Sequence, residues 1–268
     1  MLWNAKNGSV NIDDTDMNYV SFGKGSKNLI VMPGLSDGLV TVKGKALLLA
    51  SSYIKYFNDY TVYMFSRKNV MPEGYSIRDM AADQAKALKA LGITKTSVMG
   101  VSQGGMIAQW LAIDYPEMMD KLILVVTAPK ANEMIHDNVG SWIEMAKQSD
   151  HKSLMIDVAE KAYSEKYLKL YRKAYPILGY VGKPRNYDRF FVNANAILGF
   201  DAYEEVDKIE CSTYIIAGNE DKTVGIDASY ELKERIKDSE LYVYEGLGHA
   251  AYEEGKDFYD RVLDFLKK

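Results

Sequence analysis

Six short runs of apolar and β-branched residues recur along the chain, at 29–32, 61–65, 96–99, 121–126, 213–217 and 241–244, with helix-like sequence between most of them. The runs are apolar at successive positions, so as strands they would be apolar on both faces. A strand needs that property only when helices cover its sheet from both sides. The β-α-β alternation therefore predicts an α/β protein built on a doubly wound, mostly parallel sheet. With 268 residues, 47% of them apolar, the chain is long enough to bury a full core and still carry an inserted subdomain.

Two of the intervening helices have readable ends. Ser76 with Asp79 three residues on forms a capping box, Ile77, Met80, Ala81, Leu88 and Leu91 fall on one stripe, and Gly92 stops the helix. A second helix follows Ser102, with Met106, Ile107, Trp110 and Leu111 on one face, and ends near Pro116. One connection breaks the rhythm: ~80 residues of helical patterning separate the strand ending near Thr127 from the one starting at Thr213, far beyond a normal α/β connection. The expected division is a core of 1–128 and 211–268 with a helical cap at 129–210.

The chemistry is concentrated in Gly100-Val101-Ser102-Gln103-Gly104-Gly105. This G-x-S-x-G segment lies at the end of an apolar strand and the start of an amphipathic helix. The glycines permit a sharp strand-to-helix turn that leaves the serine hydroxyl exposed above the sheet, at a helix N-terminus that favours developing negative charge. A serine hydroxyl needs a base within hydrogen-bond reach. Of the three histidines, His136 and His151 fall in the expected cap, whereas His249 follows the last strand in the small-residue loop Gly246-Leu247-Gly248-His249-Ala250. The histidine in turn needs a carboxylate, and Gly218-Asn219-Glu220-Asp221 supplies one after a strand end; Asp221 is the choice and Glu220 its competitor.

Strand order, elbow, late acid and C-terminal histidine together resemble the α/β-hydrolase superfamily over nearly the whole chain. The resemblance implies an oxyanion hole formed by the backbone amides of Gln103 and, within Met32-Pro33-Gly34-Leu35, of Leu35. The sequence departs from the family's frequent His-Gly pair by carrying Pro33-Gly34. Phe65-Ser66-Arg67 stands where many members have an Asp-x-Arg turn, so Arg67 is either a structural anchor or a substrate-facing group. A serine nucleophile sets the chain apart from members that attack with aspartate.

These residues predict hydrolysis of a small-molecule acyl substrate, with a carboxylic ester, lactone or thioester as the bond, through an acyl-enzyme and without a metal or organic cofactor. The alternatives are a carbon–carbon bond hydrolase, a proline-releasing aminopeptidase using Glu133, Glu144, Glu160 or Glu165 to hold an ammonium group, and a slow-turnover ligand sensor. In the expected cap, Tyr163, Tyr167, Tyr171 and Tyr175 recur every four residues, and the first three are candidate pocket residues. A net charge of −4 from 33 basic and 37 acidic residues, with no dense basic cluster, argues against nucleic acid. The N-terminus lacks a basic start followed by an apolar run, and no apolar stretch approaches a membrane span, so a cytoplasmic protein away from membranes is expected. Cys211 is a lone structural thiol with no zinc-ligand spacing around it.

Overall fold

A computed structural model describes residues 2–268, which form one eight-stranded sheet with helices on both faces. In chain order the strands are β1 (Lys6–Ile12), β2 (Thr15–Gly23), β3 (Lys27–Met32), β4 (Tyr60–Lys68), β5 (Thr96–Val101), β6 (Met119–Val125), β7 (Thr213–Gly218) and β8 (Ser239–Tyr244). Across the sheet they lie in the order β1-β2-β4-β3-β5-β6-β7-β8. β1 and β2 pair antiparallel with each other, and β2 runs antiparallel to β4; every other pairing is parallel. The six apolar runs of the sequence are β3 to β8. The β1–β2 hairpin turns through Asp13, whose φ of 52° lies in the left-handed region that aspartate tolerates.

The parallel strands explain their own composition. Along β3, Leu29 and Val31 join one apolar core, while Ile30 and Met32 join the other. β5 and β7 are buried along their whole length, as central strands between two helical layers must be. One layer contains the Ile77–Ala90 and Gln103–Asp114 helices, which bury Met80, Leu88, Met106 and Leu111. The other contains the Phe258–Lys267 helix and the segment around Tyr53 and Tyr56. Each fully buried aliphatic side chain in these layers contributes roughly 1.5–3 kcal/mol. The Ser76–Asp79 capping box forms, and Gly92 ends the run with a φ of 70°.

Between β6 and β7 the chain leaves the sheet and builds the helices Glu133–Lys147, His151–Ala162, Glu165–Tyr171 and Asp188–Leu198. Asn132, Asp150 and Ser164 cap the first three through side-chain oxygens. A bridge between Lys130 and Asp201 closes the base of this excursion. The last of its helices packs on the short turn Leu35–Gly38 that follows β3, which places the excursion above the C-terminal ends of the central strands. Ligands of open α/β sheets bind at these strand ends. No described helix is long and apolar enough to cross a membrane.

Candidate active site

Ser102 sits at the sharp turn between β5 and the Gln103–Asp114 helix, with φ 52° and ψ −119°. A non-glycine residue in this conformation is strained, and the surrounding packing holds it there. The approach of neighbouring chains explains the glycine requirement: a Cβ on Gly104 would stand 2.0 Å from the Met32 carbonyl oxygen, and one on Gly100 2.4 Å from the Gly104 oxygen. The serine hydroxyl is thereby raised at the helix N-terminus, facing the Gly34 loop.

His249 Nε2 lies 2.9 Å from Ser102 Oγ, and His249 Nδ1 lies 2.8 Å from Asp221 Oδ2. An ionised carboxylate only accepts, so Nδ1 carries the ring proton and Nε2 is left to accept the serine proton. Asp221 is 7% exposed, and its other oxygen accepts from the amides of Thr223 at 2.7 Å and Val224 at 3.0 Å. Burial opposes its ionisation, but His249 and these two amides outweigh that effect and hold the carboxyl below its ordinary range. Glu220, the competing acid, is exposed, and its backbone N–H donates to Leu247 O. The histidine loop is held from above as well, where Ala250 N donates to Ala162 O at 2.9 Å.

Leu35 and Gln103 each begin a helical turn, so their N–H groups have no intrahelical carbonyl to bind. A Cβ on Gly34 would be 3.8 Å from Ser102 Oγ, so the Leu35 loop passes close to the nucleophile. Arg67 fixes this region from below. Its buried guanidinium donates from Nη2 to Pro33 O at 2.7 Å and to Gln103 Oε1 at 3.0 Å, one contact on each of the two segments. Burial pushes its pKa down to about 10, which leaves it charged at neutral pH. Asp37 accepts from the Arg67 amide at 3.0 Å and from Arg189 of the helical excursion at 2.7 Å. Of the two roles open to Arg67 in the sequence, these contacts are those of the anchor.

A cavity of about 250 Å³ opens beside Ser102 and His249. Its walls are mainly apolar and include Ile135, Val139, Trp142, Leu154 and Phe190 from the excursion and Met106 from the Gln103–Asp114 helix. No Lys or Arg is among the lining residues, and the carboxylate there is Glu253, whose Oε2 accepts from the Tyr163 hydroxyl at 2.6 Å. Tyr163 lines the cavity, whereas Tyr167 and Tyr171 do not. The tyrosine stripe does not run along one helix. Tyr163 leaves the His151–Ala162 helix in an extended conformation, and Ser164 caps a new helix that carries the other two. Their rings stack behind Tyr163, with centroids 4.7 Å and 5.2 Å away, so they support the wall without forming it.

The four glutamates considered as ammonium ligands also lie off the cavity lining. Glu160 and Glu165 pair with Arg172 at 2.7 Å and 2.6 Å, and Glu133 and Glu144 are exposed. His136 is exposed, and His151 is buried with Nε2 2.8 Å from Val181 O, so neither faces Ser102. Cys211 is half-buried, and burial pushes its thiol up to about 11. Among the described residues no cluster of His, Cys, Asp and Glu is placed to hold a metal. Glu253 was not foreseen; its position four residues after His249, one helical turn on, is the signal that would have found it.

An eight-stranded, mostly parallel sheet with a serine at the β5 turn and a histidine–carboxylate pair beside it defines a hydrolase architecture. The family model described as alpha/beta hydrolase fold matches residues 59–256, and the chain belongs to this family. A 2-hydroxy-6-oxononadienedioate/2-hydroxy-6-oxononatrienedioate hydrolase from a Pseudomonas species is 28% identical over 203 residues, which cover 71% of this chain and 70% of that one. A 3-oxoadipate enol-lactonase from Acinetobacter baylyi is 23% identical over 264 residues, covering 95% and 94%. Among solved structures, an alpha/beta hydrolase enzyme from a Medee basin deep-sea metagenome library superposes with a TM-score of 0.87 at 21% identity, covering 97% of this chain and 98% of that one.

Proposed function

We propose that this chain is a serine hydrolase that cleaves carboxylic esters of neutral, apolar acids. The observation that carries the reading is the hydrogen-bonded series Ser102–His249–Asp221 opening onto an apolar cavity whose lining holds no cationic side chain. His249 Nε2 takes the Ser102 proton as Oγ attacks the ester carbonyl. The amides of Leu35 and Gln103 then receive the oxyanion. The tetrahedral species collapses with its leaving oxygen protonated by His249. Water activated by the same nitrogen releases the acid and restores the serine. Residues 129–210 act as the cap whose helices wall the acyl pocket.

The relatives narrow the acyl group by contrast. The names of the Pseudomonas and Acinetobacter enzymes denote substrates that carry a free carboxylate besides the bond cleaved. Moving a carboxylate into an apolar pocket without a paired cation costs several kcal/mol, and Glu253 at the wall adds like-charge repulsion. A neutral acyl chain meets neither penalty. The test is kcat/KM for p-nitrophenyl esters of straight-chain acids from acetate to dodecanoate, alongside monoesters of adipic acid. A maximum among the neutral chains, with adipate monoesters at least tenfold poorer and all turnover lost in Ser102→Ala, is the expected outcome. Preference for the adipate esters would overturn the acyl assignment, and wild-type rates in Ser102→Ala the mechanism.

A further inference from the structure

The acyl cavity has a neighbour. A second chamber of about 450 Å³ is floored by Val31, Met64 and Met99 and walled by Tyr53 and Tyr259. The floor residues belong to the sheet face that packs on the C-terminal helix, whereas Met106, Ile135 and Val139 of the acyl cavity belong to the core on the other face. The two spaces share Gly34, Ser36, Val101, Tyr252 and Glu253 in their linings, so they meet beside Ser102. Ser52, an exposed residue, lines the chamber and opens it to solvent at a place separate from the helical cap.

Resting on the ester reading, we propose that this chamber is the leaving-group site and accepts a neutral aromatic alcohol. The attack geometry sends the two halves of an ester apart. With the acyl chain under the cap and the carbonyl oxygen at the Leu35 and Gln103 amides, the second arm must depart on the side of His249 Nε2, where it collects its proton. Tyr252 and Glu253 follow His249 within one turn and line both spaces, so that side borders the chamber.

The chamber's chemistry selects the alcohol. Tyr53 and Tyr259 meet edge to face at 5.3 Å, and Phe258 adds another ring to the lining. Aromatic walls over two methionine side chains suit a flat aromatic group. As in the acyl cavity, the lining includes Glu253 and no Lys or Arg, which disfavours an anionic alcohol. On collapse of the tetrahedral intermediate the carbon–oxygen bond to the alcohol breaks and the His249 proton passes to the alcohol oxygen. The alcohol leaves through the Ser52 opening. Water then occupies its place, gives a proton to His249 and adds to the acyl carbon; Ser102 Oγ departs with that proton.

The test uses the whole protein and hexanoate esters that differ only in the alcohol: methyl, benzyl and 4-carboxybenzyl. Two variants narrow the chamber away from the catalytic groups, Ser52→Trp at its opening and Leu49→Trp in its wall. Wild type should favour benzyl over 4-carboxybenzyl by at least tenfold in kcat/KM. Each variant should lose at least tenfold on the benzyl ester while the methyl ester stays within twofold, and inhibition by free benzyl alcohol should weaken in parallel. A benzyl-to-methyl ratio unchanged in both variants would overturn the chamber assignment and leave ester hydrolysis standing. Failure of wild type to hydrolyse any of the esters, with no fluorophosphonate labelling of Ser102, would overturn both.

Discussion

Arg67 reaches Gln103 through a 3.0 Å bond from Nη2, and the same nitrogen donates to Pro33 O at 2.7 Å. Gln103 and the residue two beyond Pro33 supply the two amides proposed to receive the oxyanion, so one guanidinium sets the spacing between them. Lysine offers a point charge on a flexible stem, without the rigid planar group that fixes the directions of the two Nη2 hydrogens. Arg67→Lys should therefore lower kcat by about 10- to 100-fold, short of the 10²–10³ for removing an oxyanion donor outright, with KM within about threefold. Steady-state kinetics on a p-nitrophenyl ester read this split; a rise in KM at constant kcat would place Arg67 in substrate binding instead.

The two adjacent carboxylates of the β7 loop separate by substitution. Asp221→Asn leaves an amide facing His249 Nδ1 and disfavours the tautomer that accepts the serine proton, so turnover should fall by about 10⁴. Glu220→Gln alters an exposed side chain and should change kcat less than twofold. The reverse ranking would make Glu220 the orienting acid.

The tyrosines differ in what they touch. Tyr163 lines the acyl cavity, so Tyr163→Ala should move the preferred acyl chain to greater length, at about 0.8 kcal/mol or fourfold in selectivity for each methylene newly accommodated. Tyr167→Ala and Tyr171→Ala remove stacked partners behind it and should cost about 1–2 kcal/mol of stability. Their chain-length profile should remain that of wild type. A shifted profile in either would bring the stack into the pocket.

Acid should loosen the helical excursion by a defined route. Hydrogen bonds from Arg172 and Tyr175 hold Glu160 at about 2, below its ordinary 4.5. A carboxylate depressed on folding stabilises the native state above its unfolded pKa, and that contribution disappears as pH falls through the folded value. The Glu160–Arg172 pair is 34% and 40% exposed, so solvent screening limits its worth to about 0.5–1 kcal/mol. The difference in Tm between wild type and Glu160→Gln should therefore be constant above pH 5 and shrink toward zero between pH 4.5 and 2. A difference that persists unchanged at pH 2 would refute the assignment.

Much of this architecture was legible because burial writes itself into local sequence. The runs in β3 to β8 are apolar at successive positions, although β8, at the sheet edge, is mostly half-buried, and the Gly100–Gly105 turn and the Gly246–Ala250 loop have compositions that few alternatives share. β1 was not legible: Lys6, Asn7, Gly8, Ser9 and Asn11 give an edge strand that one antiparallel neighbour supports. The tyrosine spacing misled because period alone cannot show that Ser164 caps a new helix between Tyr163 and Tyr167. Arg67, Asp37, Gln103 and Arg189 are distant in sequence, and their contacts arise only when β4 and the excursion meet over the Leu35 turn.

Gln103 makes one more contact: its Nε2 donates to Asn193 O at 2.8 Å, in the middle of the Asp188–Leu198 helix. The residue whose amide is proposed to receive the oxyanion is thus latched to the roof of the site by its own side chain. Raising that helix would break a fully buried hydrogen bond and leave Gln103 held by Arg67 alone. The position of that helix and the orientation of the Gln103 side chain are thereby coupled through a single bond.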